Sequence, residues 1–206
     1  SLGLVGSEMC IRDRLWALAG AALLLTGLLG CSPTAPRPID EASLLRRGQS
    51  RIDGNVNVTV TALNPEESRA LLGFDVAAAG IQPVWVKVVN REKRRWYLPP
   101  ITIDSEYYSP LEVAWIGHRP FASAANQRVD EHLNRLGLPS VVDPQATTSG
   151  FVFTNLDEGI KYASFELVAP GPQPELRRFS FLTEVPGHAT DFQKVNWNGL
   201  YPSAKL

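Results

Sequence analysis

Asn55-Val-Asn-Val-Thr-Val-Thr-Ala62 and Gly80-Ile-Gln-Pro-Val-Trp-Val-Lys-Val-Val-Asn90 both alternate side chains with the period of two that a β-strand imposes. In the first, Val56, Val58, Val60 and Ala62 share one face while Asn57, Thr59 and Thr61 share the other, which predicts a half-buried strand. In the second, Val84, Val86 and Val88 face one way and Trp85, Lys87 and Val89 the other. Pro83 has no amide hydrogen for a sheet ladder, so its expected place is near the start of the strand or at an edge.

Reading outward, three more β segments are predicted at 150–154, 161–168 and 176–184. Asn155-Leu-Asp-Glu-Gly159 reads as a hairpin turn between the first two. In the second, Tyr162, Ser164, Glu166 and Val168 alternate against Ala163, Phe165 and Leu167, so one side is wet. The charged run Asn90–Arg95 predicts another hairpin turn, leading into a strand at Trp96-Tyr-Leu98. Asn64-Pro65-Glu66-Glu67 places a cap, a first-turn proline and a back-reaching carboxylate in the spacing of a helix start, predicting a short helix near 65–72 that stops at Gly73. Ser109-Pro110-Leu111-Glu112 repeats that signature. Ala125, Val129, Leu133 and Leu136 recur at helical spacing and predict a longer helix near 122–136, ended by Gly137 and Pro139. The sum is a mainly β domain over 51–186: an antiparallel, immunoglobulin-like β-sandwich with helical insertions.

The N-terminal part reads differently. Arg12 and Arg14 precede the apolar run Leu15–Leu25, and Thr26-Gly-Leu-Leu-Gly30 leads to Cys31. A positive start, a short apolar middle and a small residue at the cut make a secretory signal, expected over 14–30. From Leu15 to Gly30 there are 16 residues, short of the roughly 20 a permanent span needs. Residues 31–50, with Pro33, Pro36 and Pro38, read as an extended tether, in which Leu44 and Leu45 give 40–47 a weakly helical pattern. Residues 1–13 read as a non-native leader, since Met9 is the sole methionine. Residues 187–206 are weakly patterned and read as a tail or as the start of a further domain.

Composition excludes some classes. Apolar residues make up 44% of 206, enough to build a core. The formal net charge is −1, so nothing favours a phosphate backbone and no nucleic-acid partner is expected. Cys10 and Cys31 both precede the predicted domain, which therefore has no disulfide, thiolate metal site or cysteine nucleophile.

Leu28-Leu29-Gly30-Cys31 resembles the lipobox of bacterial lipoproteins, although Leu29 is a less usual middle residue. The resemblance implies a diacylglycerol on the Cys31 thiol, cleavage before it and acylation of the new amine. Ser32 after the cysteine, in place of aspartate, implies sorting to the outer membrane, facing the periplasm. Gly80-Ile-Gln-Pro-Val-Trp85, Ser109-Pro-Leu-Glu-Val-Ala114 and Gly150–Lys161 together are similar to a family of bacterial envelope proteins, over about 51–201. In that family the region precedes a domain like the C-terminal part of LssY. The resemblance implies a further domain beyond Leu206 and names no catalytic residues.

Chemistry-bearing residues are sparse. His118, His132 and His188 lie far apart and lack metal-ligand spacing, so no metal or other cofactor is expected. Asp157-Glu158 lacks the alternating ligands of a calcium loop. Asp104, Glu106 and Glu112 are close enough in sequence to share a cleft and to do acid–base work, although Glu112 also fits a cap on Ser109. Trp85, Trp96, Tyr97, Tyr107, Tyr108 and Trp115 crowd a short stretch, where they either fill the core or stack on a ligand. Trp96, Tyr97, Tyr107 and Tyr108 are the candidate binding surface. Arg91, Lys93, Arg94 and Arg95 read as a solvated turn or a contact for anionic headgroups. The expected function is a lipid-anchored, non-catalytic binding or assembly module, held to the membrane by its lipid and facing an envelope protein or glycan. The alternative is an envelope hydrolase, with its chemistry at the three carboxylates or in a further domain.

Overall fold

Strand β3 (Ile81–Asn90) is the centre of the structure, a computed structural model that describes residues 36–38, 40–99, 107–157 and 159–186. It pairs with β2 (Val56–Ala62) on one side and β6 (Thr147–Asn155) on the other, and β1 (Gln49–Asp53) lies outside β2. This first antiparallel sheet runs β1-β2-β3-β6. The second contains β4 (Trp96–Tyr97), β5 (Val141–Val142), β7 (Ile160–Ala169) and β8 (Glu175–Glu184), in the order β5-β4-β7-β8. The described residues also form four helices: α1 (Glu41–Arg47), α2 (Pro65–Leu72), α3 (Pro110–Ile116) and α4 (Ser123–Leu136). The fold is the expected antiparallel β-sandwich with helical insertions.

Around β2, β3 and the C-terminal half of β6 the first sheet is buried on both faces, whereas the edge strand β1 is exposed. Val56, Val58, Val60, Val84, Val86 and Val88 meet Phe165, Leu167, Phe179 and Phe181 of the second sheet. Behind them, Trp85, Phe151 and Phe153 meet Leu44, Leu71, Val113 and Leu133 from the four helices. Each such side chain removed from water contributes about 1.5–3 kcal/mol, so the helices form a third layer that the sheet requires. The half-buried reading of β2 is thereby corrected. Thr59 and Thr61 are buried too, because α1 covers their face and the Thr61 hydroxyl donates to the Leu44 carbonyl at 2.9 Å. Residues 41–50 accordingly belong to the body, as α1 and the start of β1, and not to a tether.

Pro83 lies near the start of its strand, as expected, being the third residue of β3, and it does so although that strand is central. Leu63 donates to the Pro83 carbonyl at 3.1 Å, and the missing return bond is replaced by the Gln82 side-chain amide, which donates to the Leu63 carbonyl at 3.1 Å. A neighbouring side chain thus satisfies the acceptor that proline leaves open.

Neither predicted hairpin turn is a hairpin. Residues 91–95 and 156–159 each carry the chain from one sheet to the other, since β4 pairs with β5 and β7, and β7 pairs with β8. Asn90, almost wholly buried, holds the first crossing. Its amide donates to the carbonyls of Arg94 and Asp143, both at 2.8 Å, and its carbonyl accepts from the Glu92 amide at 2.9 Å. Lys161 holds the second, its buried ammonium donating to the Asn155 carbonyl at 2.9 Å, to the Asn155 side chain at 2.7 Å and to Asp157 at 3.0 Å.

The helix starts follow the sequence closely. Asn64 with Glu67, and Ser109 with Glu112, both form reciprocal capping boxes, and Gly73 ends α2 in the left-handed region at φ 83°. Asn90→Ala removes three part-buried hydrogen bonds to backbone groups, so a loss of about 3 kcal/mol in unfolding free energy is expected from urea denaturation. A loss below about 1 kcal/mol would contradict the role assigned to this side chain.

Candidate functional site

The four aromatic residues expected to form a binding surface are not brought to one face. Trp96 is fully buried in the intersheet core, beneath the guanidinium of Arg177, 4.7 Å from its ring centre, and that of Arg94 at 5.9 Å. Tyr107 is half-buried against the same core. Tyr108 packs on the helix-side core, and its amide donates to the Phe153 carbonyl. Only Tyr97 of the four is exposed, because strand alternation turns it opposite to Trp96. Trp96 is therefore a core residue, and the surface as drawn from the sequence does not exist.

The carboxylate cleft fares no better as a described assembly. Asp104 and Glu106 lie outside the described residues, as do His188, Glu158, Cys31 and the segments 1–35 and 187–206. Glu112 accepts from the Ser109 amide at 2.6 Å, and this bond, with the Ser109 hydroxyl, holds its carboxyl below the usual range. Burial first, and the Glu112 charge second, raise the Tyr107 phenol above its ordinary value. His118 pairs with Asp130 at 2.8 Å, and His132 bonds the Leu71 carbonyl at 3.0 Å. Asp157 is engaged by Lys161. Among the described residues no three His, Cys, Asp or Glu side chains are grouped to hold a metal ion, and no helix is long and apolar enough to cross a membrane.

The basic run forms a charged network at the first sheet crossing. Arg177 binds Glu92 at 2.7 Å, Glu175 at 2.6 Å and the Asp53 carbonyl at 2.8 Å, tying β8 to the turn between β1 and β2. Arg94 binds Glu175 at 2.5 Å and Arg95 binds Asp143 at 2.8 Å. A groove of about 570 Å³ opens here, lined by Asn55, Arg91, Glu92, Lys93, Gln145 and Arg177 among others. Burial opposes the charge on Glu92, but Arg177, the Asn55 amide and Arg94 together outweigh it, so its carboxyl titrates below its ordinary value.

A different surface is the one left open. Helices α3 and α4 form a hairpin whose base is stitched to the edge of β6. The Tyr108 amide donates to Phe153 at 2.8 Å and the Leu138 amide to Phe151 at 2.9 Å. Gly150 permits that seam, since a Cβ there would lie 2.6 Å from the Leu138 Cα. With its base fixed, α3 turns Val113 and Ala114 inward and Leu111 and Trp115, four residues apart, outward. Trp115 is 73% exposed and stacks on His118. In the connecting turn, Phe121 is wholly exposed and takes φ 59°, a left-handed conformation unfavourable for a bulky residue. The turn is held there by Asn126, whose carbonyl accepts from the Arg119 amide and whose amide donates to the Arg119 carbonyl, both at 2.9 Å. The turn thus presents an exposed aromatic side chain on strained backbone, next to a two-bond clamp at Arg119. The i, i+4 pair Leu111 and Trp115 carried a signal for it, because Val113 and Ala114 take the inward positions. Phe121 carried none.

No protein-family model matches the sequence, and no curated protein is significantly similar to it. Among solved structures, a DUF4426 family protein from Pseudomonas aeruginosa PAO1 aligns over 68% of this chain and 95% of its own, with 9% identity and a TM-score of 0.26. That likeness is too distant to carry a fold assignment or a function.

Two outcomes are expected of this geometry. Because the Glu92 carboxyl is depressed, its contribution is present above its ordinary value of 4.5 and fades as pH falls. Unfolding between about pH 6 and pH 3 is therefore expected to cost the wild type more stability than Glu92→Gln, and equal acid slopes would contradict the pairing. Phe121→Gly relieves the left-handed strain, so unfolding free energy is expected to hold or to rise by up to about 1 kcal/mol. A clear loss would show that the ring contributes packing.

Proposed function

We propose that this chain is a lipid-anchored domain of the bacterial cell envelope that binds and does not catalyse. The anchor is the thiol of Cys31, exposed to lipidation after removal of residues 14–30, and the domain faces the periplasm from the outer membrane. The three-part leader and the lipobox-like Leu28–Cys31 support the address. The contact surface is the tip of the α3–α4 hairpin, and the exposure there of two aromatic side chains, Trp115 and Phe121, the latter on a turn clamped at Arg119, is the observation that carries the binding reading. Glu112, His118, His132 and Asp157 are instead committed to caps, ion pairs and backbone carbonyls, which favours a structural role for each.

The address is tested by fractionating a producing bacterium. The wild type is expected in the membrane fraction, with a diacylglycerol-modified Cys31 at its mature N-terminus by mass spectrometry. Cys31→Ser is expected to lose both the modification and the membrane association. An unmodified, uncleaved wild-type N-terminus would overturn the proposal.

A further inference from the structure

We infer that the α3–α4 tip seats in the membrane surface itself, so that the domain is held at two points: by its lipid and by an aromatic wedge of Trp115 and Phe121. This deepens the reading above and rests on lipidation of Cys31.

The orientation follows from where the body begins. The Arg37 amide donates to the Ala70 carbonyl at 2.8 Å, in the last turn of α2. Phe74, just beyond the same helix end, holds its ring so near Gly117 that a Cβ there would lie 2.7 Å from it. The His132 ring is bonded to the Leu71 carbonyl. The start of the described chain and the tip-side end of α3 at Gly117 are therefore both placed at the C-terminal end of α2. Cys31 precedes Pro36 by five residues, a reach of at most about 18 Å even when fully extended. A lipid at Cys31 keeps that end of the domain against headgroups, and the residues exposed there face the bilayer.

Those residues suit a bilayer better than a second protein. Trp115 offers a broad apolar ring with a polar edge, the side chain that membrane interfaces favour, and Phe121 projects wholly into solvent from a turn too narrow to form a groove. Exposed Arg119 lies between them in sequence, its long stem suited to leaving the aromatic rings in the acyl boundary while its guanidinium meets phosphate. Several acyl chains on one residue hold the domain at the bilayer without fixing its orientation, and a second apolar contact converts a swivelling tether into a fixed pose.

The test uses the full-length lipidated chain in vesicles of phosphatidylethanolamine and phosphatidylglycerol with brominated acyl chains, which quench tryptophan at the depth of the bromine. The difference between wild type and Trp115→Phe isolates Trp115 from the other tryptophans. Strong quenching of that difference signal is expected, with severalfold weaker quenching in Phe121→Gly at unchanged or higher Tm. Mass spectrometry of the same sample reads Cys31. A lipidated chain whose Trp115 is no more quenched than in unbrominated vesicles overturns the wedge and leaves the tether intact; shielding of Trp115 in a crosslinked copy or partner complex does the same. An unmodified Cys31 overturns the tether, and with it the orientation on which the wedge depends.

Discussion

Burial of the central strands of the first sheet on both faces is the constraint from which the rest of this structure follows. β3 sends Val84, Val86 and Val88 into the space between the sheets, and Trp85 to the opposite side. A strand with apolar residues on both faces cannot leave either one in water, so the sandwich needs a helical layer behind it. That layer is drawn from three separate parts of the chain: α1 before the first strand, α2 between β2 and β3, and the α3–α4 hairpin between β4 and β5. The hairpin satisfies the sheet with Val113, Ala114 and Leu133, and it is fastened at its base by the β6 edge. Once those contacts are made, the outward side of α3 and the turn beyond it are free to serve another purpose.

Polar groups at the joints show how such a chain changes sheets. Asn90 and Lys161 are buried at the two crossings, each with several acceptors or donors met. Gln82 repairs the ladder that Pro83 interrupts. Arg177 spans from β8 to the first sheet through Glu92 and the Asp53 carbonyl, with Trp96 beneath it. A buried polar side chain left without partners is costly, so these arrangements restrict the sandwich to one connectivity.

Local signals in the sequence reported local structure well. The capping boxes at Asn64 and Ser109, the stop at Gly73 and the alternation of β2, β3 and β7 all translate directly into elements. What alternation does not encode is the partner of each face. Thr59 and Thr61 look solvent-facing until α1 is folded over them. The runs at 91–95 and 156–159 have hairpin composition, yet their flanking strands pair elsewhere, because pairing is decided by distant contacts such as Trp96 with the intersheet core. The candidate surface failed for the same reason: Trp96 and Tyr97 are neighbours in sequence on opposite sides of a strand. Phe121 was invisible, since a left-handed turn on a residue with no preference for it depends on Asn126 closing from the next helix.

The proposed contact between the tethered sandwich and the membrane runs through one helical tip. Hydrogen–deuterium exchange on the lipidated chain addresses it directly, comparing vesicles with detergent micelles that occupy only the acyl chains. Amides of 115–122 should exchange more slowly on vesicles, while β7 and β8 remain unchanged. Equal exchange at 115–122 in both, or slowing confined to β7 and β8, would place the contact elsewhere and contradict the claim.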